Sequence, residues 1–231
     1  MVNNGDVHEV VKNALKILPP EMYDNITLNE KISRSGKFNH LIYGITDCFG
    51  EVTHSNGIKT KLELQINAVN VHGSRAVTVL ASFKDEMCGN QVIYSTEAAT
   101  QAHTIGYDPE VLEDFIMNRV MKAPKDIRTL QNWAHKEVRE TDLRRILYSN
   151  PQISSGAVAA IVKQFNTIEV LKRGSNLLAL LSAITSWGSH NNDDFRVRNS
   201  GNTDNEAEVL FARQEKIAKL LGSDAFLQVA A

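Results

Sequence analysis

The chain is short of the residues that most often announce a chemistry. Its 231 residues include only two cysteines, Cys48 and Cys88. They stand in neither a metal-binding nor a redox spacing, so two reduced thiols in a cytosolic protein are expected. No apolar run approaches a membrane span, and the richest, residues 177–184, is far too short. The opening residues 1–6 are polar and lack the basic-then-apolar pattern of a signal peptide. Gly36-Lys37 resembles the end of a phosphate-binding loop, but Lys31 occupies the place of its first glycine. No glycine triplet opens a helix after a strand. The seven histidines are scattered, with no His-Glu-x-x-His helix and no Cys-His cluster. His190, Asp193 and Asp194 lie close together, but a solvated loop tip is the better reading than a cation site. The net charge of -2, with both signs mixed, argues against a polybasic binder, although clustered charge can still hold phosphate. A non-enzyme without cofactor or metal is expected.

What is present is strand and helix pattern. Leu62, Leu64, Ile66 and Ala68 alternate with Glu63, Gln65 and Asn67, and Val77, Val79, Ala81 and Phe83 alternate with Thr78 and Ser82. With His72-Gly73-Ser74 between them, these runs predict an antiparallel hairpin with one buried and one wet face. Residues 38–46 read as a further strand, 55–57 as a turn, 91–95 as a short fourth strand and 29–36 as a loop. With 42% hydrophobic residues, the chain can bury a substantial core.

Helical periods flank this region. A first helix is predicted over 7–17, stopped by Pro19-Pro20. Asp108-Pro109-Glu110 is a helix start, and Pro124 is expected to end that helix. A second is predicted from Lys125 towards Tyr148, with a break near Thr141. A third follows Ser154-Ser155, and Gly174-Ser175 punctuates before a fourth, over 176–187, apolar on nearly every side. A long polar loop, read as mobile, covers 188–203. The last helix opens at Asp204 and closes at Gly222 as the residue after the cap. The expectation is one α+β domain over 1–231: an antiparallel meander (38–95, within a mainly strand region 36–100) packed against a helical layer (108–228). Leu62, Leu64, Ile66, Val77, Val79, Phe115, Ile116, Ile161, Leu178, Leu181, Ile184 and Phe211 are the expected core.

Two stretches carry binding chemistry. Residues 118–148 hold eight basic side chains against four acidic ones, together with Trp133 and Tyr148. Cations in register with a backbone bind phosphate, and aromatic faces stack bases. Lys122, Lys125, Arg128, Arg144 and Arg145 are the candidate phosphate contacts. The alternative is two ordinary solvated basic helix faces with Trp133 in the core. The wet sheet face offers Lys59, Lys61 and Arg75, with Phe38 and Tyr43 on the neighbouring strand; alternatively those rings pack inward.

The segments Asn70-Val71-His72-Gly73-Ser74-Arg75-Ala76, Cys88-Gly89-Asn90 and Ala102-His103-Thr104-Ile105-Gly106 resemble, in order, the motifs of a phage and plasmid family of unknown function. Residues 176–187 are similar to that family's closing helix. His72 stands where the family has Asp, and Ser182 and Ser186 replace Asn and Glu. In size and lack of catalytic residues the chain also resembles the small single-stranded-DNA-binding transcription regulators of N4-related bacterial viruses. That resemblance implies binding to melted promoters, recruitment of a phage-encoded RNA polymerase, and a place in the infected host's cytoplasm. A role in phage replication is the close variant. A protein-binding module that inhibits or redirects a host enzyme is the other class of function. No membrane partner is expected.

Overall fold

The computed structural model describes residues 2–33, 35–71, 76–103, 106–192, 194–196 and 206–231, with the side chains of 47–49 outside the description. The fold is α+β. Two N-terminal helices, α1 (Asn4–Leu15) and α2 (Pro20–Asp24), precede the strands β1 (Ile26–Ile32), β2 (Phe38–Thr53), β3 (Lys59–Val71), β4 (Val77–Asp85), β5 (Gln91–Val92) and β6 (Ala98–Gln101). The helices α3 (Pro109–Trp133), α4 (Glu140–Tyr148), α5 (Ser155–Gln164), α6 (Val170–Arg173), α7 (Leu177–Ser189), α8 (Glu206–Leu221) and α9 (Asp224–Ala230) follow. The described strands form one antiparallel meander, β1 to β5 in order, with β6 also on β4.

The β3–β4 hairpin has the predicted register, Leu64 opposite Phe83 and Ile66 opposite Ala81. The proposed turn residues 72–74 lie outside the described residues. The turn after β2 is built by Gly57, whose φ of 82° only glycine adopts readily. Three strand boundaries differ from expectation. Residues 26–32, expected in part as a loop, form the edge strand β1, whose exposed side chains hide the alternation that burial writes into a sequence. β2 continues to Thr53 through an irregularity between Ile45 and Phe49 that breaks the two-residue period. The short strand ends at Val92, and β6 is additional.

The helices differ in similar places. The first starts three residues early, because Asn3 and Asp6 close a reciprocal capping box. α3 starts at the predicted Asp108 cap, but it runs through Pro124 to Trp133. Leu112, Ile116, Ala123 and Leu130 are buried on both sides of that proline, so packing carries the helix across one missing N–H. The expected break towards Tyr148 falls between α3 and α4. Ser154 caps α5, Asn176 caps α7, and Gly174 (φ 82°) ends α6. Gly188 and Ser189, expected in the polar loop, belong to α7, and Asp194 pairs with Lys163 at 2.7 Å. Residues 197–205, including the expected Asp204 cap, lie outside the described residues. Gly222 is not left-handed; Ser223 instead caps α9 directly behind it.

α1 and α3 cover the apolar face of the sheet, and α7 is buried along most of its length. Every expected core residue is buried except Phe115, which is half-buried against the cluster. The larger correction concerns the second face. Glu63, Gln65 and Asn67, expected in water, are buried. α8 lies over that face, with the Phe211 ring 5.9 Å from those of Phe38 and His40. Beneath it, His40 Nε2 meets Asn67 Oδ1 at 3.0 Å, Asn67 donates to Ser82 Oγ at 2.9 Å, and Gln91 donates to Asn67 Oδ1 at 2.6 Å. Polar residues at strand period here mark an internal amide network.

Candidate nucleic-acid interface

α3 is fastened to the sheet by its inward face. Gln131 accepts from the Thr53 N–H at 2.9 Å and donates to the Thr53 carbonyl at 2.8 Å. Ile127 lies so close to Gly50 that a Cβ there would stand 2.5 Å from its side-chain carbons. This fixes which side of the helix meets water. Lys122, Lys125 and Arg128 are all exposed, and at three-residue spacing they occupy one side of α3. None of the three forms an ion pair among the described residues. The one acid of this half-helix, Asp126, is turned inward: Arg119 donates to it at 2.7 Å, and the Tyr94 hydroxyl at 3.0 Å. Arg119, counted in the sequence with the basic excess, is buried against Asp126, Glu97 and Tyr94. The exposed C-terminal half of α3 is therefore cationic without an opposing carboxylate.

The other candidates divide. Arg144 is paired with Glu140 at 2.6 Å and Arg145 with Asp142 at 3.2 Å, so the charge on α4 is largely met within the helix. Tyr148 is 64% exposed. Trp133 is half-buried, edge-on to Phe226 at 5.5 Å, and is a packing residue. Lys59 pairs with Glu51 at 2.6 Å and Lys61 with Glu86 at 3.3 Å. Phe38 is buried under Phe211, and Tyr43 is buried with its hydroxyl 2.6 Å from His8 Nδ1, so neither ring offers a face to a base. Arg75 lies outside the described residues. The sheet-face site expected from the sequence is thus not assembled from its proposed aromatics, because α8 and α1 cover them.

Cys88 lies beside a buried ionic cluster in which Arg173 reaches Asp85 at 2.7 Å, Glu169 at 2.8 Å and the Cys88 sulfur at 3.2 Å. Burial first, and then the Asp85 charge, push the thiol up to about 11, so it remains protonated at neutral pH and is a poor nucleophile. A π-helical turn, Phe165–Glu169, delivers Glu169 into this cluster. A cleft of about 520 Å³ between α8 and the β4–β6 end is lined by Phe38, Val69, Leu80 and Phe211, with Glu97 and Glu215 and no cation among the described residues. Its chemistry does not suit a phosphate backbone. No family model, no curated protein and no solved structure matches the chain.

Proposed function

We propose that this is a single-stranded-DNA-binding protein of a bacterial virus, serving transcription at melted promoters by recruiting a phage-encoded polymerase, or serving replication. The observation that carries DNA binding is the outer face of α3, where Lys122, Lys125 and Arg128 stand exposed with no ion pair among the described residues and the neighbouring Asp126 is withdrawn. Unpaired cations along one helix side attract a phosphate backbone without reading sequence. Tyr148 is the aromatic of the original set with an exposed ring, which favours single strands, whose bases are free to stack. The viral setting rests on the sequence resemblance alone.

The test is retention of labelled single- and double-stranded oligonucleotides at two salt concentrations. Single strands should bind more tightly and lose affinity with salt. Reversing Lys122, Lys125 and Arg128 to Glu should weaken all sequences alike and flatten the log–log salt slope by about 0.7 per lost contact. Tyr148→Ala should cost about 1–3 kcal/mol with little change in slope. If the wild-type chain retains no single strand at low salt, the reading fails. The same face, where Met121 is 71% exposed beside the cations, would then belong to a protein partner.

A further inference from the structure

The second face of the sheet is not wholly covered. Between the end of α7 and the β1 edge an open groove of about 330 Å³ remains, within the range of about 300–1,000 Å³ usual for small-ligand sites. Its floor is Gly44 on β2. A Cβ there would stand 2.5 Å from Glu63 Oε1 and 2.6 Å from Thr27 Oγ1, so the glycine lets the Glu63 carboxylate lie across the floor. Glu63 is only 5% exposed, lines the groove, and has neither an ion pair nor a hydrogen bond to its carboxylate among the described residues. The carboxylate oxygens are the part of this side chain that reaches the groove, where a ligand's donors can replace water. Two residues on, facing the same way, Gln65 spends its carbonyl oxygen on Gln91 at 3.2 Å and keeps its amide N–H₂ uncommitted. Lys31 on β1 and Lys84 on β4, opposite Glu63 in the register, also line the groove and form no ion pair among the described residues.

We propose that this groove binds a guanine nucleotide, with Glu63 and Gln65 reading the base and Lys31 and Lys84 offering cations to flanking phosphate. The Watson–Crick edge of guanine presents a carbonyl followed by two adjacent N–H donors. A carboxylate can accept from both donors while an amide N–H₂ gives to the carbonyl. Adenine and cytosine place a single donor group beside an acceptor and would satisfy only one bond to Glu63. The choice of a nucleotide rests on the nucleic-acid reading above, but the site is separate: α3 packs on the opposite face of the sheet. The same chemistry could arrive as a free mononucleotide or as one unit of a single strand.

The experiment titrates the full chain with GMP, AMP, CMP and IMP by NMR or calorimetry. In parallel, fluorescence anisotropy compares a dT oligonucleotide with one carrying a single dG. GMP should bind at least about tenfold more tightly than AMP or CMP, and IMP, which lacks the 2-amino donor, should be weakened by roughly tenfold. Glu63→Gln, nearly isosteric, should abolish the preference, and Lys84→Ala, at an exposed position, should weaken GMP while leaving the preference in place. A tighter dG oligonucleotide would identify the strand as the source. GMP binding without any strand retention would keep the groove and remove the DNA reading. Equal binding of GMP and AMP, or a preference unchanged in Glu63→Gln, overturns the proposal even if strands still bind through α3.

Discussion

At the residue scale, Arg173 is the side chain on which most depends. It is wholly buried and joins two buried carboxylates, Asp85 at the end of β4 and Glu169 at the end of the π turn. It also donates to Thr60 Oγ1 at 3.3 Å, so one guanidinium ties β3, β4 and the helical layer together. The net worth of a buried ionic cluster is small, because desolvation offsets attraction, but breaking it is expensive. Arg173→Met should therefore destabilise by about 3–5 kcal/mol in urea unfolding, since it leaves two unpaired buried carboxylates. Adding Asp85→Asn and Glu169→Gln to that variant should recover much of the loss. If the single and triple variants are equally unstable, packing rather than charge is responsible. In the sequence, Lys172-Arg173 reads as a basic pair at a helix end, and no local signal distinguishes the buried member from its neighbour.

At the scale of elements, α3 shows packing overriding a local rule. Pro124 removes one helical hydrogen bond, yet the buried residues Ala123 and Leu130 beyond Ile116 keep the helix continuous. The side chain of Pro124 is exposed, so replacing it leaves the core untouched. Pro124→Ala should raise stability by roughly 1–3 kcal/mol, the order of the interior helical penalty of proline, read as a higher denaturant midpoint at unchanged m-value. A loss of stability would show that a bend at Pro124 is required by the contacts of α3 with β2. The cationic face was legible to the extent that charge is: the excess over residues 118–148 is real. Arg144 and Arg145 meet acids four and three residues back along α4, a helical spacing the sequence contains, whereas the pairing of Arg119 with Glu97 joins segments 22 residues apart and leaves no local signal. The lysines of the groove escaped notice for the same reason. Lys31 and Lys84 are far apart in sequence and meet one groove only through the β1–β4 meander.

At the scale of the whole molecule, both faces of the sheet are engaged, and this sets the response to acid. His40, under α8, is held at about 4, chiefly by burial and against the opposing effect of its Asn67 bond. His54 is also held at about 4, by burial first and then by the Arg173 and His135 charges. Both stay neutral in the fold while the unfolded chain takes up protons near 6.5. Between about pH 6.5 and 4 the unfolded state therefore binds more protons, and stability falls as pH falls. For His40 alone the loss by pH 4 amounts to about 3 kcal/mol. Urea unfolding at pH 7.5 and 5.0 should show it, and His40→Asn should flatten the difference between the two. A pH-independent midpoint would mean that the second face opens to water.

The sequence by itself determined the α+β class, the β3–β4 register, the apolar course of α7 and the caps at Asp108 and Ser154. These follow from periods and short-range hydrogen bonds, whose partners lie within a few residues. Only the tertiary structure decided which polar strand positions meet water. Glu63, Gln65 and Asn67 have the pattern of a solvated face, and it took α8 over His40 beside Asn67, Gln91 against Gln65 and Asn67, and the β1 edge beside Glu63 to make them internal. It likewise buried Phe38 and Tyr43 and left Lys122, Lys125 and Arg128 without an ion pair among the described residues. Alternation records that two faces differ in polarity, whereas burial and pairing depend on which distant element arrives to cover them.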